Sequence, residues 1–477
     1  MSELKKFIVE SNADVKEALI LINKNSYGIC FVVSDMKLVG VLTDGDIRRA
    51  LIKNIKLNDC VDKVMNRNYV AMHIDTPSKE VRKKISNHIR VIPLLNSDGR
   101  IVDMSNIKKT HAIPLMEPNL SGKESEYVND CLDTGWISSK GKYVGKFEQK
   151  FEELHPGMHA VAVSNGTVAL QLAMLAIGIK KGDEVIVPNT TFAASVNAII
   201  HCGATPVLCE IDPVTWCIDP KEIKKLINPY TKAIMPVHLY GQVSQMDEII
   251  KLSNENSLYV VEDCAEALGS RWKNKNVGTF GDASTFSFFG NKTITTGEGG
   301  MALFKSKDIS NRAKILRDHG MSTTKRYWHE IIGFNFRLTN IQAAIGVAQL
   351  EKLDEIVQKK IHIGEYYSQL LRNHKLIAQV PKKNNTIVNS YWIFSLLLKN
   401  KINRDQVIKK LLELGIETRP VFYPLHKMLP YKNFKRSSSL ENSINIGQQG
   451  LSLPSATSLT DVNIKYIVYC LDKIASD

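Results

Sequence analysis

A lysine and an aspartate in this sequence have the types and settings that amine–carbonyl chemistry requires. Lys292 lies in the polar, glycine-rich segment 287–300, and Asp263 closely follows the apolar run 258–261, which predicts a strand. A lysine amine forms a Schiff base with an aldehyde, and a carboxylate keeps the ring nitrogen of pyridoxal phosphate protonated so that the ring accepts electrons. Alone, Lys292 is best interpreted as one surface lysine among many. Its pairing with Asp263 favours a pyridoxal phosphate site.

A second segment has the features of a phosphate site. The apolar strand predicted at 160–163 is followed by the polar segment 164–167 (Ser-Asn-Gly-Thr), and a helix is predicted to follow that segment. A helix N-terminus offers main-chain N–H groups and a partial positive charge, and a glycine lets an anion approach closely. An ordinary helix cap by Ser164 or Asn165 explains the same residues equally well. The segment therefore supports a phosphate site only together with the lysine and the aspartate.

The chain from about residue 113 onwards resembles the sugar-nucleotide aminotransferases of the DegT type. Five motifs occur in the order typical of that family: Ser164-Asn165-Gly166-Thr167, Pro188-Asn189-Thr190-Thr191-Phe192, Glu262-Asp263, the Lys292 segment, and Gly333-Phe334-Asn335-Phe336-Arg337. The resemblance implies an α/β protein of PLP fold type I (aspartate aminotransferase-like), with a small C-terminal α+β domain. It also implies pyridoxal 5′-phosphate as the cofactor and L-glutamate as the amino donor.

The same resemblance assigns catalytic and substrate-binding roles to individual residues. It implies that Lys292 forms the Schiff base and acts as general acid and base, and that Asp263 pairs with the ring nitrogen. Phe192 is the residue that stacks on the pyridine ring, although a core phenylalanine is the alternative. Arg337 is the expected anchor for the donor's carboxylate, because a guanidinium binds a carboxylate through two parallel hydrogen bonds; a structural ion pair is the alternative. His426 falls near the sugar-nucleotide pocket and is as readily explained by a structural role.

The cofactor phosphate is expected to contact residues from two chains. The family's phosphate contacts fall on Gly166, Thr167 and Ser287 within one subunit. The asparagine that reaches the phosphate of the partner subunit falls on Asn335. The resemblance therefore implies a homodimer with shared active sites.

Glu266 restricts the range of expected substrates. It stands three residues after Asp263, where most of the wider family has glutamine or histidine near the cofactor's phenolic oxygen. A glutamate there is similar to the perosamine synthase group, as are segments 136–141, 238–242 and 288–300. Because like charges repel in a partly buried site, this carboxylate needs a proton or a hydrogen-bonding bridge. The resemblance implies GDP-4-keto-6-deoxymannose as the preferred substrate, aminated at C4 to GDP-perosamine. A UDP-4-keto-6-deoxy-N-acetylhexosamine is the alternative, since glutamate also occurs there in aminotransferases of such sugars.

Composition limits the class of protein and its partners. The chain has 477 residues, a net charge of +13 and 44% hydrophobic residues, which is ordinary for a globular protein of two or three domains. The basic excess is spread thinly and shows no DNA-binding pattern, so we expect no nucleic acid partner. No apolar run is long enough for a membrane helix, and the first residues lack a signal-peptide core, so we expect a cytoplasmic protein without a membrane partner. The eight cysteines lack metal-type spacing, and no metal is predicted.

Residues 1–110 differ in character from the rest of the chain. They resemble the cystathionine-β-synthase (CBS) type of regulatory module, in which a helix–strand–strand–helix unit is used in pairs. The first repeat contains the segment 40–46, where Thr43 and Asp46 match the family's positions for binding a nucleotide ribose. The resemblance therefore implies a nucleotide site in this repeat.

The second repeat of this module lacks the ribose motif. It is traced through residues 76–81 and 91–100, but the segment 101–106 has neither the glycine nor the aligned threonine and aspartate. At most one conventional nucleotide site per chain is therefore predicted. A module that only packs and dimerises explains the sequence about equally well.

Three domains are predicted from these patterns: the CBS-type module at 1–110, a large cofactor-binding domain at 111–370 and a small domain at 371–477. Apolar strands alternate with helices in the large domain, which predicts a parallel sheet covered on both faces. The other predicted elements are a linker at 108–118, a helix after a capping-box-like Ser121 and Glu124, a helical region at 340–371, a strand at 391–396 and a helix at 404–414.

Two other functions are compatible with parts of the sequence. A sugar 3-dehydratase of the same fold has histidine in place of the lysine, so Lys292 argues against it. A non-catalytic nucleotide-sensing regulator is suggested by the CBS-like module. The presence of Lys292, Asp263 and the phosphate segment favours catalysis over regulation alone.

Overall fold

The computed structural model describes residues 4–25, 27–76, 80–81, 84–86, 89–106, 113–382 and 385–476. The chain divides into two compact units, Met1–Ile113 with Lys409–Glu417, and Pro114–Ile408 with Thr418–Asp477. The short excursion at 409–417 belongs to the first unit because Ile113 exchanges main-chain hydrogen bonds with Gly415 and Glu417. Residues 108–112 of the predicted linker at 108–118 lie outside the described residues.

The first half of the N-terminal unit has the predicted helix–strand–strand–helix order. Its elements are β1 (Ile8–Glu10), α1 (Val15–Asn25), β2 (Ile29–Ser34), β3 (Lys37–Thr43) and α2 (Asp44–Ile52). β1 is parallel to β2, and β2 is antiparallel to β3. The expected helix–strand–strand–helix order is therefore confirmed, with β1 as an additional strand before it.

The second half repeats the strand pattern. It contains β4 (Met72–His73), β5 (Val91–Leu95) and β6 (Ile101–Asn106), in which β4 is parallel to β5 and β5 is antiparallel to β6. Apolar residues of β5 are buried, and Ile92 and Leu94 form part of a separate small core. Residues 77–79 of the predicted second repeat lie outside the described residues.

The larger unit contains the elements that position the candidate site. Its strands are β7 (His159–Val163), β8 (Glu184–Pro188), β9 (Thr205–Cys209), β10 (Thr231–Ile234), β11 (Tyr259–Asp263), β12 (Arg271–Trp272), β13 (Lys275–Asn276), β14 (Ala283–Ser287), β15 (Gly300–Phe304), β16 (Ile377–Gln379), β17 (Ile387–Val388), β18 (Phe394–Leu398), β19 (Arg419–Pro420) and β20 (Gly450–Leu453). Its helices before the small sheet are α3 (Glu124–Asp133), α4 (Lys142–Leu154), α5 (Gly166–Ile177), α6 (Ala193–His201), α7 (Pro220–Leu226), α8 (Met246–Asn256), α9 (Lys307–Arg317), α10 (Asn340–Leu350) and α11 (Leu353–Leu371).

A seven-stranded sheet, formed between residues 159 and 304 where every residue is described, has the order β7-β15-β14-β11-β10-β8-β9. Both faces are covered, because Ala160 and Ala162 of β7 join one apolar core while Val161 and Val163 join another. The predicted parallel pairing is confirmed for β14, β11, β10, β8 and β9, but β15 is antiparallel to both of its neighbours. The connection from β14 to β15 contains no helix that could cross over the sheet, so the chain returns beside β14 in the opposite direction.

The start of α3 differs from its prediction. The capping residue is Lys123, whose side chain makes no cap hydrogen bond. Ser121 instead donates its hydroxyl to Asn119, and Glu124 accepts a hydrogen bond from the main chain of Gly122. The predicted capping box is therefore wrong. The helical region predicted at 340–371 is confirmed, as two helices, α10 and α11.

A second sheet follows α11, with the order β16-β18-β20-β19 and antiparallel pairing throughout. The helices that accompany it are α12 (Arg404–Glu413), α13 (Glu441–Gln449) and α14 (Asp461–Ser476). The strand predicted at 391–396 starts only at Phe394. Tyr391 has a positive φ of 46°, which breaks the extended chain before that point. Trp392 is consequently a loop residue.

Candidate functional site

Lys292 lies in the loop between β14 and β15, at the carboxyl end of β14. Its amine is 3.8 Å from a carboxylate oxygen of Glu266 and 3.8 Å from the ring centroid of Trp392. The side chain is largely withdrawn from solvent, at 13% exposure. Burial lowers the pKa of Lys292, and the neighbouring carboxylates only partly oppose that shift. The amine of Lys292 is therefore close to both a carboxyl group and an aromatic face, and burial makes its neutral form easier to reach than that of an exposed lysine.

Asp263 ends β11, as the sequence predicts, and is buried. Its carboxylate accepts hydrogen bonds from the hydroxyl of Ser195 at 2.8 Å and from the main-chain N–H of Ala265 at 3.1 Å. Burial raises its pKa, whereas these two donors and the nearby Lys292 act in the opposite direction. Parallel strands present their carboxyl ends to ligands, so this acid is held in the usual position for a binding site of an α/β sheet.

Glu266 is also buried, at 3% exposure. One of its oxygens accepts a hydrogen bond from the main-chain N–H of Tyr240 at 3.0 Å, and the other faces Lys292. Burial raises the pKa of Glu266 to about 7, against the opposing attraction of Lys292. The proton that the sequence argument required near this carboxylate is therefore available close to neutral pH.

The segment 164–167 combines both interpretations left open by the sequence. Asn165 is the cap of α5, and its side chain accepts a hydrogen bond from Val168. Within the described residues, the main-chain N–H groups of Gly166 and Thr167 have no acceptor. A Cβ at Gly166 would come within 2.8 Å of the Ser287 side chain, so only glycine fits there. Three of the predicted phosphate contacts thus lie together at one helix N-terminus.

Phe192 lies immediately before α6 and is 59% exposed. Its ring is 5.8 Å from that of Phe422, and Phe422 stacks on Tyr240 at 5.3 Å. The alternative of a core phenylalanine is therefore wrong, since a core side chain would be covered. An exposed aromatic face beside α6 is open to a flat ligand.

Asn335 and Arg337 lie in a segment beside β7, where the main chain of Phe336 accepts a hydrogen bond from Ser164. The guanidinium of Arg337 donates to the side chain of Asn335 at 3.0 Å and to Asp318 at 2.8 Å. If Arg337 forms a structural ion pair, Asp318 is therefore its partner. Nη2 of Arg337 has no partner among the described residues.

His426 is hydrogen-bonded to Asn189, the second residue of the motif 188–192, with 2.9 Å between the side-chain nitrogens. Asn189 also accepts a hydrogen bond from the main chain of His426 at 3.1 Å. Partial burial and nearby cations lower the pKa of His426. The histidine is therefore held beside the segment that leads to Phe192.

Four side chains of this site were not assigned a role from the sequence: Ser195, Tyr240, Lys360 and Trp392. The motif 188–192 could have suggested Ser195, because a hydroxyl in the first turn of the following helix lies near the strand ends. The other three come from distant segments, and their contacts depend on tertiary packing. A single sequence contains no pattern that brings them together.

The cluster of His238, Glu262 and Cys264 has donor atoms of metal-binding type within 4.8 Å of one another. The carboxylate of Glu262 already accepts hydrogen bonds from His238 and from the main chain of residues 278, 280 and 281. Ser244 donates its main-chain N–H to the other ring nitrogen of His238, which fixes the proton on the nitrogen facing Glu262. The cluster therefore fixes the end of β11 to the loop that precedes β14.

In the N-terminal unit, Thr43 and Asp46 are joined to each other. Thr43 caps α2, and its main chain and hydroxyl both donate to the Asp46 carboxylate, at 3.0 Å and 2.6 Å. The second carboxylate oxygen pairs with Arg49 at 2.5 Å. The two predicted ribose ligands are thus the members of a local capping box.

Comparisons with known proteins cover both units. The profile of the DegT/DnrJ/EryC1/StrS aminotransferase family matches residues 118–472, and the CBS domain profile matches residues 2–53 and 61–104. The chain is 47% identical to the GDP-perosamine synthase of Escherichia coli O157:H7, over 76% of this chain and 99% of that protein. It is 46% identical to the GDP-perosamine synthase of Vibrio cholerae, over 75% of this chain and 98% of that protein.

Solved structures show the same similarity. The aminotransferase TlmJ from Streptoalloteichus hindustanus is 28% identical, with a TM-score of 0.72 over 76% of this chain and 99% of that one. Helicobacter pylori PseC, an aminotransferase involved in the biosynthesis of pseudoaminic acid, is 27% identical with the same TM-score and coverage.

Among the residues that the structure describes, no helix is both long and apolar enough to cross a membrane.

Proposed function

This chain belongs to the DegT/DnrJ/EryC1/StrS aminotransferase family, and on that premise we propose that it transfers the amino group of L-glutamate to a nucleotide-linked 4-keto-6-deoxy sugar. The preferred acceptor is GDP-4-keto-6-deoxymannose. Its C4 ketone becomes an amine, giving GDP-perosamine, while glutamate becomes 2-oxoglutarate. The observation that carries this choice is the similarity to two GDP-perosamine synthases over nearly their whole length. The product belongs to the class of activated sugars used for polysaccharides such as O-antigen.

The residues of the site fit pyridoxal phosphate, the cofactor of this reaction. The N-terminus of α5, with its two available N–H groups and the close approach at Gly166, suits a phosphate. We assign Gly166, Thr167 and Ser287 to that phosphate. The buried Asp263 suits a pyridinium nitrogen, since a carboxylate held by two donors remains available to a cation. Phe192 provides an aromatic face for the ring.

When bound, the cofactor supplies an aldehyde that takes up the amino group and a ring that accepts electrons from the donor's α carbon. Lys292 would hold the cofactor through that aldehyde, and its amine, once released, would act as the base. As a neutral amine, Nζ accepts the proton from the α carbon of L-glutamate, and in the second half of the cycle it delivers a proton to C4 of the sugar. The lowered pKa of Lys292 favours this neutral form.

Glu266 supports the same proton movements. Its oxygen lies 3.8 Å from the lysine amine, so it stabilises the ammonium form each time Lys292 takes up a proton. Its pKa of about 7 allows it to hold a proton itself when the lysine is neutral. We therefore assign Glu266 to the catalytic group together with Lys292 and Asp263.

Substrate binding is assigned to Arg337 and His426. Arg337 is the proposed ligand of the glutamate carboxylate, and its ion pair with Asp318 holds the guanidinium in place before the donor arrives. His426 is placed near the sugar nucleotide through its hydrogen bonds to Asn189. Both side chains are only partly buried, so both are accessible to a ligand.

A panel of acceptors tests the proposed reaction. Purified protein is incubated with pyridoxal phosphate, L-glutamate and equal concentrations of GDP-4-keto-6-deoxymannose or a UDP-4-keto-6-deoxy-N-acetylhexosamine, and 2-oxoglutarate and the amino sugar are quantified. We expect the GDP sugar to give the higher kcat/KM. Faster turnover of the UDP sugar would instead support the second candidate substrate. Turnover of neither sugar would contradict the proposal.

We further propose that the active enzyme is a cytoplasmic homodimer in which Asn335 completes the phosphate site of the partner. Large apolar side chains exposed on the larger unit are available for an interface between two copies. They include Trp136 at 57%, Tyr327 at 76% and Ile332 at 93% exposure.

Complementation tests the shared site. Asn335→Ala and Lys292→Ala subunits are mixed under conditions that allow exchange. Each mixed dimer then contains one site with both defects and one with neither, so part of the wild-type activity returns. Exchange is verified with differently tagged subunits. No recovery in an exchanged mixture would place Asn335 outside the partner's site.

We propose that the N-terminal module, residues 1–110, is a regulatory domain. The proposed large domain spans residues 111–370, and the proposed small domain spans residues 371–477. We propose at most one nucleotide site in the N-terminal module, at Thr43 and Asp46. Binding there changes activity only if the nucleotide favours one arrangement of the module over another.

A further inference from the structure

Trp392 makes two contacts at Lys292 and its neighbour Asn291, and a third contact with Lys360. Its indole N–H donates to the main-chain oxygen of Asn291 at 2.7 Å, and its ring lies 3.8 Å from Nζ of Lys292. Its own main-chain oxygen accepts a hydrogen bond from Lys360 at 3.0 Å. Because Asn291 directly precedes Lys292, the tryptophan contacts both the backbone next to the lysine and the amine at its end.

Lys360 is a buried lysine whose amine supports the loop that contains Trp392. Its side chain is on α11 and is 1% exposed, yet its amine contacts only neutral groups among the described residues: the main-chain oxygens of Trp392 and Ser455, each at 3.0 Å, and the sulfur of Met116 at 3.5 Å. Burial lowers the pKa of Lys360 to about 7. A buried amine without a carboxylate is unfavourable unless hydrogen bonds compensate for lost water. Here the compensating acceptors join the Trp392 loop to the segment after β20.

A lysine side chain has four rotatable bonds, and Lys292 is in a loop rather than on a helix or strand. A reacting group has to be held within a fraction of an ångström of its productive position. Glu266 attracts the amine from one direction, and an indole face attracts a cation by its quadrupole. The ring itself is held parallel to Tyr240, at 5.9 Å between centroids.

We propose that Trp392 is a positioning residue for Lys292, and that Lys360 holds Trp392 in the position this requires. The indole N–H fixes the backbone at Asn291, and the indole ring limits the movement of the amine. This inference rests on the proposed function, since it explains how the lysine of that reaction is held.

Three substitutions separate the contacts. Trp392→Phe keeps an aromatic face but removes the N–H, and Trp392→Leu removes both. Lys360→Met keeps the volume of the side chain and removes the hydrogen bonds to the loop. Trp272→Phe is the matched control, because Trp272 is also buried and its indole N–H also donates a hydrogen bond, to Asp247 at 3.0 Å.

The first measurement uses the apoprotein and needs no turnover. Acetylation of Lys292 by acetic anhydride is followed against pH by quantifying the modified peptide by mass spectrometry, which reports the pKa of that amine. The neighbouring carboxylates, Asp263 and Glu266, are retained in every variant. We expect Trp392→Leu to lower the pKa of Lys292 by roughly one unit, since the ring favours the cation. Trp392→Phe should lower it less, and Trp272→Phe should leave it unchanged.

The second measurement is steady-state kinetics of the holoenzyme. Trp392→Phe and Lys360→Met should each lower kcat about tenfold, while KM for the sugar nucleotide changes less than twofold, because the loss concerns the lysine's position. An unchanged lysine pKa in Trp392→Leu together with unchanged kcat in Trp392→Phe would overturn the inference. If Trp392→Leu does not fold, the other two variants decide it.

The two proposals fail separately. If the wild-type protein turns over no 4-keto sugar but the pKa of Lys292 still follows the Trp392 substitutions, the proposed function is wrong and the positioning role stands. If turnover is normal and neither the lysine pKa nor kcat responds, the positioning role is wrong and the function stands.

Discussion

Each of the two units contains a predicted ligand-binding group that includes an aspartate. The two groups differ in how their side chains are held. Thr43 and Asp46 are three residues apart and satisfy each other's hydrogen bonds in a capping box. Lys292, Asp263 and Glu266 come from different segments of the larger unit and are held by donors from still others, such as Ser195 and the main chain of Tyr240.

The difference shows how strongly a motif requires a functional explanation. A local capping box stabilises its helix, so Thr43 and Asp46 have a sufficient structural reason without a ligand. The buried lysine and carboxyl groups of the larger unit have shifted pKa values and no such local explanation. Burying ionisable groups is unfavourable, and perturbed groups gathered at strand ends are typical of active sites.

The largest effect is expected for Lys292→Ala. Loss of the only amine proposed to move the substrate protons should lower kcat on the order of a thousandfold or more. Cofactor binding should persist, because the contacts of Gly166, Thr167 and Ser287 remain. Product formation measures the first expectation, and equilibrium dialysis with pyridoxal phosphate measures the second.

Lys305→Ala is the control for that experiment, since Lys305 is an exposed lysine at the end of β15. It should retain wild-type kcat and KM. Turnover near the wild-type rate in Lys292→Ala would remove the main contrast between the two regions, because the buried lysine would then have no chemical role.

A smaller effect is expected from Glu266→Gln, which keeps the shape of the side chain and removes its titration. The pKa of Glu266 is raised from 4.5 to about 7 in the folded apoprotein, so the folded state binds more protons than the unfolded state between these values. The stabilisation is fully present below pH 4.5 and is lost as pH rises through 7. Relative to the variant, the wild type should lose up to about 1.4 kcal/mol of unfolding free energy per pH unit in that window.

Urea unfolding of both apoproteins at a series of pH values between about 4 and 8 measures the free energy of unfolding across the window in which the loss is expected. Glu298→Gln is the control, because Glu298 is an exposed glutamate of the same loop as Lys292. A pH-independent difference between wild type and Glu266→Gln would show that the glutamate is not protonated near neutral pH.

Much of the catalytic unit was predictable because its signals are local. The apolar run before Asp263 and the glycine-rich loop around Lys292 each identify themselves, and the segment 164–167 leads directly into α5. The antiparallel direction of β15 was not predictable from strand patterns, since β15 is buried along its whole length and reads as a continuous apolar run, as parallel strands of such sheets do. The apolar neighbours of Trp392 predict a strand at 391–396, but Tyr391 has a positive φ and β18 starts only at Phe394, so Trp392 lies in the preceding loop.

The smallest effect is expected in the N-terminal unit. Asp46→Asn leaves one oxygen to accept the hydrogen bond from Thr43 and removes the charge that pairs with Arg49, so the helix cap should weaken by about 1 kcal/mol or less. In the absence of nucleotides, kcat should not change. Asp44→Asn is the control, because Asp44 is an exposed acid in the same first turn of α2.

Calorimetry of the full-length protein with AMP, ATP, GDP and GTP then separates the cap from a ligand site. A ribose-binding carboxylate predicts that one nucleotide gives a saturable heat in the wild type and in Asp44→Asn, and none in Asp46→Asn. A heat that survives in Asp46→Asn would place the nucleotide elsewhere. No heat with any of the four nucleotides would mean that the capping box fully explains Thr43 and Asp46. Of the two groups, only the one around Lys292 would then require a ligand.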